Sequence, residues 1–293
     1  MAMSLGAIAE MGYLAMRTRD YDESLELATD VLGLRMTLND DDRAYLSAAD
    51  HHHELVYVKG EEDGIDHIGL VADSPEGLEI IRKRLEAGGF PILTRSPLER
   101  EIGEGFAVMG PEGYVYHVYV GMKSFRHGPA SFGPDRYGHI NIHPQHPTAM
   151  KDFLVEFFGF KVSDVIGKDF GYFLRCNPDH HGIALIKGRG SLHHHAWQTQ
   201  SVADLGRLAD RLFAKGRRLI WGPVRHGAGH NIAAYYVEPN GTVVELYTDL
   251  EQIHEIDRPP IEWDQDDRTW FNRWGTYNGE DFRLHGAFPV SLG

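Results

Sequence analysis

The feature that most constrains this chain is an internal repeat. Segment 11–34, MGYLAMRTRDYDESLELATDVLGL, opens as an alternating strand and runs into an acidic helix start with apolar residues at helical spacing. Segment 137–160, YGHINIHPQHPTAMKDFLVEFFGF, has the same layout and ends alike, on Gly and a large apolar residue. Met150, Leu154 and Phe157 fall there on one helix face. A second pair matches: 65–90 parallels 192–219, with stripes Leu78, Ile81, Leu85 and Leu205, Leu208, Leu212. Ser74 and Ser201 read as N-caps. After each helix come short apolar runs. GPEGYVYHVYVG (110–121) and EPNGTVVELYTD (238–249) each read as a Pro-x-Gly turn followed by a strand.

Each unit is therefore a strand, a helix and about three strands, and four units run in series. The expected class is α+β, with four tandem βαβββ modules in two paired-module domains. The first domain is expected over 1–125 and the second over 135–250, followed by a non-repeating tail over 251–293. The Gly- and Pro-rich stretch KSFRHGPASFGPDR (123–136) reads as the linker.

Composition narrows the function classes. A chain of 293 residues with 42% hydrophobic content has ample material for a buried core. A net charge of -14 with no Lys/Arg run argues against a nucleic-acid surface. No apolar stretch approaches the roughly 20 residues that span a bilayer. The N-terminus lacks the basic start and long apolar core of a secretory signal. Cys176 is the only cysteine, so no intrachain disulfide forms. A cytoplasmic protein with no nucleic-acid or membrane partner is expected.

The second half carries His139, His194 and Glu245, each on a strand-like segment. Two imidazoles and one carboxylate with positions left open are the ligand set of non-haem Fe(II) oxygenases. The repeat supplies counterparts: Tyr13 for His139, His67 for His194, His117 for Glu245. The spacings agree, 55 and 51 residues in one half against 54 and 50 in the other. A phenol is a poorer Fe(II) ligand than an imidazole, so the first half reads as a vestigial metal site. The run His51, His52, His53 reads as a polar loop.

These segments resemble the type I extradiol ring-cleaving dioxygenases of the vicinal oxygen chelate superfamily. Catechol 2,3-dioxygenases, homoprotocatechuate 2,3-dioxygenases and 2,3-dihydroxybiphenyl 1,2-dioxygenases belong to this group. GHIN (138–141), HHHAW (193–197) and PNGTVVELYT (239–248) look like the three ligand strands, which implies His139, His194 and Glu245 as metal ligands. DHHGIAL (179–185) resembles the segment with the acid–base histidine and selects His181. Tyr235, ten residues before Glu245, matches the family's tyrosine near the metal. His226 matches a further histidine near the diol, with His230 as a competitor, and Asn141 would line the oxygen pocket. In the first half His53 stands for His181, and Ala107 for Tyr235.

The resemblance implies Fe(II), with Mn(II) as a substitute, and a catechol-type diol and O2 as partners. The implied reaction is extradiol (meta) cleavage in aromatic catabolism, giving a muconic semialdehyde-type product. His181, with an ordinary pKa of about 6.5, would move the proton. The tail holds Trp263, Trp270 and Trp274 and resembles a lid, from which Arg268 or Arg273 would reach a substrate substituent. A subunit contact is the other reading of the tail, and a homo-oligomer is expected. The alternatives are a glyoxalase- or epimerase-like enzyme, a small-molecule-binding resistance protein of the same fold, or a hydroxyphenylpyruvate-type dioxygenase.

Overall fold

The computed structural model describes residues 6–126 and 132–290. Linker positions 127–131, the first five residues and the last three lie outside the described residues. Unit one comprises β1 (Ile8–Thr18), α1 (Tyr21–Glu26), β2 (Arg35–Asn39), β3 (Arg43–Ser47) and β4 (Leu55–Lys59). Unit two comprises β5 (Gly64–Ala72), α2 (Pro75–Ala87), β6 (Ile92–Thr94), β7 (Ile102–Met109) and β8 (Val115–Met122). Unit three comprises β9 (Arg136–His143), α3 (Pro147–Phe158), β10 (Lys161–Ile166), β11 (Gly171–Arg175) and β12 (Ile183–Ile186). Unit four comprises β13 (Ser191–Gln198), α4 (Val202–Ala214), β14 (Trp221–Arg225), β15 (Ile232–Val237) and β16 (Val243–Thr248). The fold is α+β, with the βαβββ module four times over and two modules to each sheet.

Local chemistry explains the elements. Ser74 accepts from the Gly77 amide at the start of α2. At α4, Asp204 accepts from the backbone N–H and the hydroxyl of Ser201. The stripes Leu78, Ile81, Leu85 and Leu205, Leu208, Leu212 are buried, each side chain stabilising by about 1.5–3 kcal/mol. One departure from the helical reading occurs. After α1 the chain continues as a π-helical turn over Leu27–Leu32 and ends at Gly33 in the left-handed region. Among the described residues, no helix is long and apolar enough to cross a membrane.

The first sheet runs β2-β3-β4-β1-β5-β8-β7-β6 and the second β14-β15-β16-β13-β9-β12-β11-β10-β17. The ninth strand of the second sheet is β17 (Ile261–Trp263), a piece of the tail lying parallel to β10. In each sheet the first strands of the two modules pair antiparallel at the centre, and each is flanked by a parallel neighbour. The two halves share one apolar core. Phe90 of the first half meets Phe153 and Phe157 of α3, at centroid distances of 4.7 and 4.8 Å.

The central strands carry a matching glycine just before the first site residue. A Cβ on Gly138 would lie 2.0 Å from the Tyr247 hydroxyl, and one on Gly12 2.3 Å from that of Tyr119. The hydroxyl end of each tyrosine ring occupies the place of a Cβ, so a larger residue must displace it. Gly138→Ala is expected to destabilise the protein by about 1–3 kcal/mol through overpacking. Thermal denaturation checks this: Tm should fall by several degrees, and an unchanged Tm contradicts the packing.

Candidate metal centre

Strand register brings distant residues into one row. His139 on β9 pairs with Ala196 on β13, and Ala196 pairs in turn with Glu245 on β16. Glu245 pairs with Tyr235 on β15. Paired residues point to the same face of a sheet, as do residues two apart on a strand. His194 therefore joins this face from β13. The small Ala196 separates the longer side chains and leaves room for them to converge above it.

They do converge. Glu245 Oε2 lies 3.2 Å from His139 Nε2 and 3.1 Å from His194 Nε2. One donor atom from each of the three residues lies within 4.8 Å of the others, and all three residues are buried. Glu245 Oε1 accepts from Asn231 Nδ2 at 2.8 Å, which fixes the carboxylate. Burial opposes the charge on Glu245. The imidazoles of His139 and His194 outweigh it and hold the carboxyl well below its usual range. Burial pulls His194 down, against the opposing effect of Glu245. A divalent cation needs neutral imidazoles and an ionised carboxylate, and the directions at His194 and Glu245 suit it. His139 Nδ1 and Asn141 Oδ1 are buried without a hydrogen-bond partner in the protein. The donor set fits a first-row divalent metal.

Above the three donors lies a cavity of about 360 Å³. This is adequate for a small aromatic guest. His181 lines it, its ring centroid 4.2 Å from that of His139. Burial, then the imidazoles of His139 and His180, hold His181 well below its ordinary pKa. Tyr235 and His226 form a second wall. His226 Nδ1 donates to the Phe271 carbonyl at 2.5 Å. Its Nε2 is thereby left to accept from the Tyr235 hydroxyl at 2.6 Å. Burial raises Tyr235 well above its ordinary pKa, and Glu245 adds to the effect. Asn141 also lines the cavity.

Two expected pocket residues lie elsewhere. His230 is exposed with φ 61°, in the tight turn before β15, so its side chain is turned from the lining that His226 joins. Arg273 is likewise outside the lining; its amide bonds the Arg225 carbonyl and fixes that turn of the tail against β14. The tail supplies the expected Arg268 and, in addition, Arg283. It also supplies Trp270, Phe271 and Phe282 to the cavity wall. Phe271 packs on Trp221 at 4.5 Å, and Phe282 on Tyr235 at 5.3 Å.

Other lining residues were not foreseen from the sequence: His143, Phe173, His193, Trp221 and Asn231. His143 was findable, since it stands four residues after His139 on an alternating strand, on the same face.

The first half repeats the row with different chemistry. Tyr13 pairs with Gly69, Gly69 with His117, and His117 with Ala107. The Tyr13 hydroxyl lies 2.8 Å from His67 Nε2 and 2.5 Å from His117 Nδ1, filling the space between the imidazoles. Its ring lies where a Cβ on Gly69 would be, 2.2 Å from it. His52 and His53, expected in a polar loop, are buried, because Tyr45, Tyr13 and Phe125 pack around them.

Comparisons with known proteins agree with this architecture. The model of the Glyoxalase/Bleomycin resistance protein/Dioxygenase superfamily matches residues 10–117 and 136–246. The manganese-dependent 2,3-dihydroxybiphenyl 1,2-dioxygenase of Geobacillus genomosp. 3 is 28% identical over 286 residues, covering 88% of this chain and 90% of its own. The Mn(II)-bound glyoxalase of Novosphingobium aromaticivorans superposes with TM-score 0.90 at 31% identity, covering 98% of this chain and 97% of its own. Homoprotocatechuate 2,3-dioxygenase of Arthrobacter globiformis shares the fold, with TM-score 0.92 at 23% identity, covering 100% of this chain and 95% of its own. This chain belongs to the glyoxalase, bleomycin-resistance and dioxygenase superfamily.

Proposed function

We propose that the chain is an extradiol dioxygenase that cleaves a catechol-type diol with O2 beside its hydroxyl-bearing carbons. The observation that carries this reading is the convergence of His139, His194 and Glu245 under a cavity also lined by His181, Tyr235 and His226. The named dihydroxybiphenyl dioxygenase relative supports the same reaction class. His139, His194 and Glu245 would hold Fe(II), or Mn(II) as in that relative. Such a metal supplies a site where diol and O2 meet and electrons pass between them.

The chain's own residues do the rest. Phe173, Trp221 and Phe271 wall the cavity and exclude water from the reacting groups. The Tyr235 hydroxyl, tied to His226 Nε2, keeps its oxygen lone pairs for a guest. His181 takes a proton from the diol side of the cavity and returns it to the oxygen that becomes the new hydroxyl or carboxyl group. Both atoms of O2 enter the product, a ring-opened semialdehyde acid. The active site belongs to the second half alone, since Tyr13 occupies the corresponding space in the first.

A glyoxalase-like isomerisation is the second reading, favoured by the Mn(II)-bound relative named as a glyoxalase. That chemistry consumes no O2. The test is anaerobic loading with Fe(II) or Mn(II), then air and a panel of catechols, alkylcatechols, carboxylated catechols and 2,3-dihydroxybiphenyl. A yellow product with one O2 consumed per diol is expected. Metal-loaded protein that turns over no diol contradicts the proposal.

A further inference from the structure

We infer that His180 and Asp164 are positioning residues for His181, fixing its imidazole with the proton on Nδ1 and the lone pair of Nε2 toward the cavity. The inference rests on the acid–base role proposed above for His181. His181 Nδ1 lies 3.0 Å from His180 Nδ1, and His180 Nε2 lies 3.0 Å from Asp164 Oδ1. All three side chains are buried. The pair stands at ion-pair distance without hydrogen-bond alignment, and the carboxylate charge beside Nε2 favours the proton of His180 on that nitrogen. With that single proton on His180, its Nδ1 is an acceptor. His181 Nδ1 must carry a proton, or two lone pairs would face each other. The remaining nitrogen of His181, Nε2, is left free.

Asp164 is itself held from the tail. Its Oδ2 accepts from Trp263 Nε1 at 2.6 Å, and Arg258 approaches Oδ1 at 3.6 Å. Strand β17, which carries Trp263, runs along β10 with Trp263 paired to Ile166. The tail thus reaches His181 through two side chains that do not line the cavity.

Two comparisons within the chain isolate the effect. His193 and His194 form the same doublet, Nδ1 to Nδ1 at 2.8 Å, and His193 Nε2 donates to the Phe282 carbonyl at 2.7 Å. The same logic leaves a lone pair on His194 Nε2, the nitrogen 3.1 Å from Glu245. The first half has the doublet too, with His52 Nδ1 2.8 Å from His53 Nδ1. There the place of Asp164 is taken by Leu38. Asp164 pairs with Phe173 and Leu38 with Tyr45, each just after a bulge at the same step of its hairpin. The carboxylate stands only in the half that carries the metal donors. A carboxylate orienting a functional imidazole is a recurring device, and its loss costs about 10–100-fold.

The test uses the full chain, with nitrogen-15 in its histidines. Long-range proton–nitrogen spectra of the metal-free protein should show His181 with Nδ1 protonated and Nε2 bare. His180→Phe keeps the aromatic volume and removes the acceptor, and Asp164→Leu copies the first half. Both should abolish the protected Nδ1 proton of His181. His180→Asn, whose carboxamide accepts and donates, should restore it. In the metal-loaded enzyme kcat should fall about 10–100-fold in the first two variants, with metal per chain and KM held near wild type, and recover in His180→Asn. An Nε2-protonated His181 in the wild type overturns the inference, as does a tautomer unchanged in both His180→Phe and Asp164→Leu. Should no diol be turned over, the dioxygenase reading fails while the tautomer measurement still decides the positioning role.

Discussion

Glu245→Ala is expected to lower kcat/KM by at least about 10³-fold, roughly 4 kcal/mol at 1.4 kcal/mol per decade, with loss of bound metal. Glu245 is the sole anion in the donor set, and its Oε2 meets both imidazoles within 3.2 Å. Without it, a divalent cation would enter a buried space lined by neutral nitrogens. Desolvation would then oppose binding with little to offset it. Removing the carboxylate also strands the Asn231 amide that donates to Oε1, at about 1–3 kcal/mol of stability. Glu245→Gln separates these effects: it keeps the volume and a carbonyl for Asn231, and should still lose the metal. Steady-state kinetics with metal analysis on folded variants checks both. Wild-type metal content in Glu245→Ala would mean the donors are not the binding site.

His181→Asn is expected to leave metal content intact and to reduce kcat by about 10²–10⁴-fold, the usual contribution of a placed acid–base group. Burial and two neighbouring imidazoles keep His181 neutral over the ordinary working range, so it meets the diol as a base. Asparagine preserves polarity and approximate size at Cγ but moves no proton. KM should change little, because the metal and the aromatic walls hold the ring. Pre-steady-state mixing with O2 locates the defect: binding of the diol should be normal and formation of the yellow product slow. A fall in kcat under tenfold, with metal and KM unchanged, would assign the proton to another group.

The repeat was legible because its physics is local. A strand running into a helix, a leucine stripe and a Pro-x-Gly turn recur at fixed spacing, so each half predicts the other. His139, His194 and Glu245 stood out for the same reason, since Tyr13, His67 and His117 mark the matching positions. The tail had no second copy to calibrate it. Its contributions come through short 3-10 turns at Arg268–Trp270 and Phe282–Leu284, which carry no periodic signal. Of the two arginines expected at the cavity, Arg268 lines it and Arg273 does not, while Arg283 joins it. The burial of His52 and His53 was hidden because part of their cover comes from distant segments, Phe125 from beyond β8 over His52 and Tyr13 of β1 over His53. Asp164 was equally silent: an acid on a short strand gives no sign that His180 and Trp263 lie against it.

The most direct test of the central claim is anomalous X-ray diffraction from crystals grown with Mn(II). One peak per chain, bonded by His139 Nε2, His194 Nε2 and a Glu245 oxygen and absent between His67 and His117, is the predicted result. An ion bound elsewhere, or an empty second-half site in protein that holds Mn(II), would contradict it.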